Sequence, residues 1–169
     1  MNKIHRNRGN GIETRSGKSV RCDTVVKLNE IFRNGENGIL CEGALNFSRI
    51  EKNISISCNR KSGIIVSDDA TVVIIKNKVY GNFSQGILLV EGTSAHIEQN
   101  EIYTNFKANI ALGGRGSADT VIINNDLYSG RAEGLFAIEA GYFWLQNNRI
   151  HGNSDGVTLV DSSPFLKGN

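Results

Sequence analysis

Apolar and polar residues alternate in short runs along the whole chain, and the runs recur in groups of three. Each group carries the pattern Asn-x-Ile-x-x-Asn-x-x-x-Gly-Ile-x-apolar. Copies begin at Asn2, Asn29, Ile54, Asn77, Asn100, Asn125 and Asn148, with starts about 24 residues apart. The third copy has slipped by one, with Asn53 just ahead of it, and the last is one residue short before Gly156. Alternation by two is strand geometry. The first run of each copy turns Ile4, Ile31, Ile56, Val79, Ile102, Leu127 and Ile150 inward. The second turns Ile12, Ile39, Ile64, Ile87, Ile110, Leu135 and Val157 inward, each with a second inward residue two positions on. The third turns in Val26, Ile50, Ile74, Ile97, Ile122 and Leu145. No copy has room for a long helix, and none can bury its apolar side alone, so stacked copies must share a core.

Three strands per copy predict an all-β fold, a right-handed parallel β-helix of about seven coils. At roughly 4.8 Å per coil the rod would be about 34 Å long. A leucine-rich repeat has a similar period but expects leucine at its core positions and a helical return; here isoleucine dominates, and the return is Gly, Asp, Ser and Thr. Composition agrees: 20 Asn, 19 Ile and 19 Gly stand against one Pro, a set that opposes helix and favours strands with frequent turns. The recurring asparagines, Asn7, Asn34, Asn59, Asn82, Asn105 and Asn153, predict an amide ladder interrupted at Gly130. The copy-initial asparagines predict a second ladder. Asparagine is expected there partly because it tolerates left-handed backbone. The glycine column, Gly11, Gly38, Gly63, Gly86 and Gly134 with Asn109 in place of one member, predicts a turn with positive φ.

Length and charge bound the function. One domain over residues 1–169 is expected, as part of a longer protein because no polar capping sequence is visible. The net charge of +2 is too balanced for a nucleic-acid footprint, no apolar run is long enough to span a membrane, and no secretory leader is visible. Three cysteines without metal-like spacing read as reduced thiols, hence a cytoplasmic or nuclear protein.

Outward positions hold the candidate chemistry. Asp68, Asp69, Glu91, Glu139 and Asp161 form a sparse acidic column beyond the second strand, a weak ligand-binding candidate or a solvated loop. His5, Phe32, Tyr80, Tyr103, Tyr128 and His151 share one repeat position and predict a column of stacked rings, read as stabilising or as a platform for a sugar or peptide. Beside it, Lys3 over Glu30, Lys78 over Glu101 and Asp126 over Arg149 predict a ladder of surface charge pairs. On the second strand the outward positions are unexpectedly apolar: Leu40, Ile65, Leu88, Ala111 and Phe136, flanked by Val90, Ile138 and Val160. Such a strip suggests a contact with a protein client, another domain of the same protein, or a second copy. No catalytic constellation, metal site or cofactor motif is evident.

The coil phrases "HIEQNEIYTN", "NKVYGNFSQGILL" and "SSPFLKGN" resemble the parallel β-helix repeats of the carbohydrate-binding and sugar-hydrolase group, in particular those of F-box-only ubiquitin-ligase subunits. That resemblance covers nearly the whole chain. It implies a non-catalytic substrate-recognition domain, with a polysaccharide-binding or polysaccharide-degrading protein of pectate-lyase or polygalacturonase type as the alternative.

Overall fold

The computed structural model describes residues 1–90, 92–114 and 119–169. Three parallel sheets of seven strands each wrap one apolar interior. The first sheet comprises Lys3–His5, Glu30–Phe32, Ser55–Ser57, Lys78–Tyr80, Glu101–Tyr103, Asp126–Tyr128 and Arg149–His151. The second runs from Ile12–Arg15 to Asp155–Ser162 and the third from Val25–Lys27 to Phe165–Lys167. Register is kept coil to coil: Ile87 pairs with Ile64 and Ile110, and Ile97 with Ile74 and Ile122. This is the right-handed parallel β-helix that the period predicts.

The inward columns are those read from the alternation. Ile31, Ile56, Val79, Ile102 and Leu127 of the first sheet are fully buried, as are Ile39, Ile64, Ile87, Ile110 and Leu135 of the second and Ile50, Ile74, Ile97, Ile122 and Leu145 of the third. Burying each such side chain stabilises the rod by roughly 1.5–3 kcal/mol. Phe143, at the entry to the third sheet, is also fully buried.

Both expectations about turn chemistry are corrected by the backbone. Left-handed residues are not the ladder asparagines but the residues just before them. At the corner between the first and second sheets they are Arg6, Arg33, Cys58, Gly81, Thr104, Ser129 and Gly152. At the corner leading from the third sheet into the next coil they are Leu28, Lys52, Lys76, Gln99, Asn124, Asn147 and Gly168. That residue turns the chain, and the asparagine after it points inward. There its amide serves because it both donates and accepts. In the second ladder, Asn77 donates from Nδ2 to Asn100 Oδ1 at 3.1 Å and to the Ile50 carbonyl of the previous coil at 2.9 Å. Its own Oδ1 accepts from the Nδ2 and backbone N–H of Asn53. The same contact runs unbroken from Asn2 to Asn169.

The glycine column does not have positive φ. It is glycine because a Cβ would collide. At Gly63 a Cβ would lie 2.8 Å from the Asn82 amide nitrogen and 2.7 Å from the Gly86 carbonyl oxygen, and Gly86 stands in the same relation to Asn105 and Asn109. The exception explains itself. Asn109 follows Gly86 in the column, and the next coil has Gly130 where a ladder asparagine would crowd it. The Asn109 side chain fills the vacated rung, accepting from Asn105 Nδ2 at 3.0 Å and donating to Asn153 Oδ1 at 3.0 Å. The expected interruption of the first ladder is therefore bridged by a residue from the coil above.

Candidate functional site

Outward side chains on the first sheet follow the expected register. Tyr80, Tyr103, Tyr128 and His151 stack at centroid separations of 4.9, 4.8 and 5.3 Å, and His5 stacks on Phe32 at 4.8 Å. Nearly parallel planes put ring faces against each other, so the column presents edges and hydroxyls outward. Tyr128 donates to Glu101 Oε1 at 2.7 Å, and burial together with that carboxylate raises the phenol above its usual range. The Tyr128 hydroxyl and Lys78 hold Glu101 below the carboxylate norm. The three charge pairs form, Lys3–Glu30 at 3.6 Å, Lys78–Glu101 at 3.0 Å and Arg149–Asp126 at 3.9 Å.

The acidic column is a row of turn residues. Asp68, Asp69, Glu139 and Asp161 are exposed and have left-handed backbone, where a short polar side chain is tolerated better than a branched one. Glu91 lies outside the described residues. Among the described residues no group of His, Cys, Asp and Glu has the arrangement of a metal site. On the second sheet Leu40, Ile65, Leu88, Ala111 and Phe136 are in register as one strip. Leu40, Ile65, Leu88, Val90 and Phe136 are half-buried by their neighbours above and below, Ala111 is buried, and Ile138 is exposed.

A further cluster stands at the corner between the first and second sheets. The residues around the first ladder's asparagines form a ridge, in register because each coil bonds the one before it: Arg60 N–H donates to Asn34, Phe83 to Asn59, Phe106 to Asn82 and Arg131 to Asn105. Arg6, Arg8, Arg33 and Arg60 surround one notch, floored by Gly35, whose backbone passes so close to Arg8 that a Cβ would collide. Further along, Phe83 and Phe106 are 64% and 54% exposed, and the Arg131 guanidinium lies 5.3 Å over the Phe106 ring. Arg15, Arg21, Arg49 and Arg149 each pair with a carboxylate. Among the described residues, the ridge arginines Arg6, Arg8, Arg33, Arg60 and Arg131 have no such partner. Unpaired cations on the first three coils and again on the sixth, with exposed rings on the fourth and fifth between them, suit an anionic chain with apolar ring faces.

The family model for the right handed beta helix region matches residues 1–114 and 62–169. Among solved structures, the periplasmic alginate epimerase AlgG is similar over 91% of this chain and 46% of its own, with a TM-score of 0.71 and 19% identity. The A-module of the mannuronan C-5 epimerase AlgE4 of Azotobacter vinelandii is similar over 98% of this chain and 46% of its own, with a TM-score of 0.58 and 18% identity. The chain thus spans about half the length of either structure, and at these identities the likeness shows the fold. Comparison with the curated proteins finds no match. The expected cytoplasmic or nuclear location is overturned, since AlgG is a periplasmic protein. The thiols on which that expectation rested are individually placed: Cys41 is buried, which pushes its thiol up to about 11, and Cys58 is exposed on a turn. Neither similar structure is an F-box protein. With both matches of the family model together spanning residues 1–169, the chain belongs to the right-handed β-helix family.

Proposed function

We propose that the chain is a polysaccharide-binding β-helix and that the corner ridge receives an anionic glycan. The observation that carries this reading is the row of ridge arginines without carboxylate partners, beside the exposed rings of Phe83 and Phe106. Each coil advances about 4.8 Å, so the arginines of the first three coils, the rings of the next two and Arg131 beyond them meet successive stretches of a polymer lying along the rod. Guanidinium groups bind carboxylates through paired N–H donors, and the ring faces cover the apolar side of a sugar. Both similar structures are named for enzymes acting on alginate or mannuronan, which favours a glycan over an intracellular client. A protein contact through the Leu40–Phe136 strip is the second reading, favoured by the continuity of that strip. Its finer form, a ubiquitin-ligase recognition subunit, has only the coil phrases behind it.

Affinity electrophoresis tests the glycan reading. Polygalacturonate or alginate cast in the gel should retard the protein, neutral dextran should not, and the retardation should weaken with salt. Replacing Arg6, Arg8 and Arg60 together by Gln should abolish it while leaving the unfolding midpoint in place, because these side chains are exposed. Equal migration with and without the polyanion would sink the reading.

A further inference from the structure

The ring column on the first sheet has one gap. Ser57 occupies the position that holds Phe32 in the coil before and Tyr80 in the coil after. Across it the two rings are two coil steps apart, about 9.5 Å. A flat ring placed midway would lie at about 4.8 Å from each, the spacing that Tyr80–Tyr103 and Tyr103–Tyr128 adopt. The gap is an open slot walled by Phe32 and Tyr80, floored by Ser55 and Ser57, and bordered by Glu30 and Arg33.

The floor is polar. Ser57 is 5% exposed and Ser55 9%. Among the described residues their hydroxyls have no side-chain hydrogen bond and no enclosed side-chain oxygen is left unpaired, so both hydroxyls open to solvent in the slot, where an entering group can take the place of water. Arg33 lines both this slot and the arginine notch on the ridge, so the two adjoin at that side chain. Glu30 is bridged to Lys3 at 3.6 Å, which offsets its charge and leaves its oxygens as acceptors for hydroxyl groups.

We infer that the Ser57 slot is a subsite for a single uronate ring, sandwiched between Phe32 and Tyr80 with its carboxylate on Arg33. This rests on the anionic-glycan reading and gives it a fixed point: the ridge holds the polymer by charge, and the slot sets its position along the rod. A purely aromatic ligand would use the walls but leave Arg33, Ser55 and Ser57 without a role. A neutral sugar would use walls and floor without the guanidinium.

The test titrates the intact chain with trigalacturonate, neutral galactotriose and p-cresol, and reads nuclear Overhauser contacts to the Phe32 and Tyr80 rings alongside affinity. Trigalacturonate should contact both rings. Ser57→Tyr, which fills the slot and completes the column, should weaken trigalacturonate by about tenfold or more without lowering the unfolding midpoint. Tyr80→Ala, which removes one wall, should weaken it as well, and serves if the first variant fails to fold. Arg33→Gln should weaken trigalacturonate about tenfold, the worth of a charge-assisted bond, and leave galactotriose unchanged. Undiminished trigalacturonate binding in Ser57→Tyr and Tyr80→Ala overturns the slot, as does ring contact from p-cresol alone. Loss of binding only in the Arg6, Arg8 and Arg60 triple variant would sink the slot and keep the ridge. Loss only in the slot variants would keep the slot and sink the ridge, and absence of any trigalacturonate binding would sink both.

Discussion

The two asparagine ladders do the same work by different means. The one leading from the third sheet into each new coil has an asparagine on every rung from Asn2 to Asn169. The one between the first and second sheets has lost its asparagine at Gly130, and Asn109 reaches across from the coil above. The Gly130 backbone N–H still donates to Asn153 Oδ1, at 2.9 Å, as a normal rung would. What the corner requires is therefore an amide at a point in space rather than an asparagine at a point in the repeat. Two departures from the pattern, each disruptive alone, cancel when paired.

The largest effect should come from breaking the unbroken ladder at its centre. Asn77→Ala removes the acceptor of the Asn53 N–H and of one Asn53 Nδ2 hydrogen, and the side-chain donor to the Ile50 carbonyl, while Asn100 Oδ1 keeps only the backbone N–H of residue 77. Each buried group left unpaired costs about 1–3 kcal/mol, so a total of about 3–5 kcal/mol is expected in chemical denaturation. A loss under about 1 kcal/mol would show that the ladder fixes register without contributing stability. Next is the relay. Asn109→Ala should cost about 2–4 kcal/mol, because it takes from Asn105 Nδ2 one of its two acceptors and leaves the rung empty. Gly130→Asn alone should also destabilise, since its Cβ would come within 2.9 Å of Asn153 Oδ1 and 3.0 Å of Asn109 Nδ2. The double variant Asn109→Gly with Gly130→Asn restores the regular pattern and should recover most of the loss. A double-mutant cycle with additive penalties would refute the relay.

The smallest effect separates the neutral ladders from the charged exterior. Asparagine amides do not titrate, so acid sensitivity must come from carboxylates outside. Lys27, 2.8 Å away, and Arg49 hold Glu51 at about 2, below the usual 4.5. A carboxylate depressed in the folded state adds stability that is complete above its unfolded value and is lost as the pH falls through the folded one. The unfolding midpoint should therefore drop between pH 4.5 and 2, with Glu101 contributing in the same direction. The slope should be shallower in Glu51→Gln and unaltered in Asn109→Ala. The effect is small because its partners Lys27 and Arg49 are exposed.

The core was legible because inward positions repeat every second residue and the period is nearly constant. Ile31, Ile56 and Val79 could be aligned by eye, and so could the ring column. The glycine column was legible as a column but not for its cause: Gly63 is constrained by Asn82, a whole coil away, and no local turn rule contains that contact. Asn109 and Gly130 are visible in the sequence as separate irregularities; that they compensate depends on side-chain direction. The ridge was missed because its arginines straddle two repeat positions. Arg6 and Arg33 precede a ladder asparagine, whereas Arg8, Arg60 and Arg131 follow one or its substitute. Only stacking brings them to one corner.

The ladder's one-way bonding also governs how such a rod can change length. Every rung donates toward the next coil and accepts from the last. Excising residues 77–99 as a block would bring Asn53 against Asn100, an equivalent partner, with both corners and all three sheets still in phase. Removing any fraction of a turn would set the rung asparagines against residues of another column and take corners and sheets out of phase. Heredity can therefore lengthen or shorten this architecture only in whole-coil increments. A subsite such as the Ser57 slot then moves along the rod in steps of one coil, always at the same azimuth, so variants of different length could measure out different stretches of the same polymer.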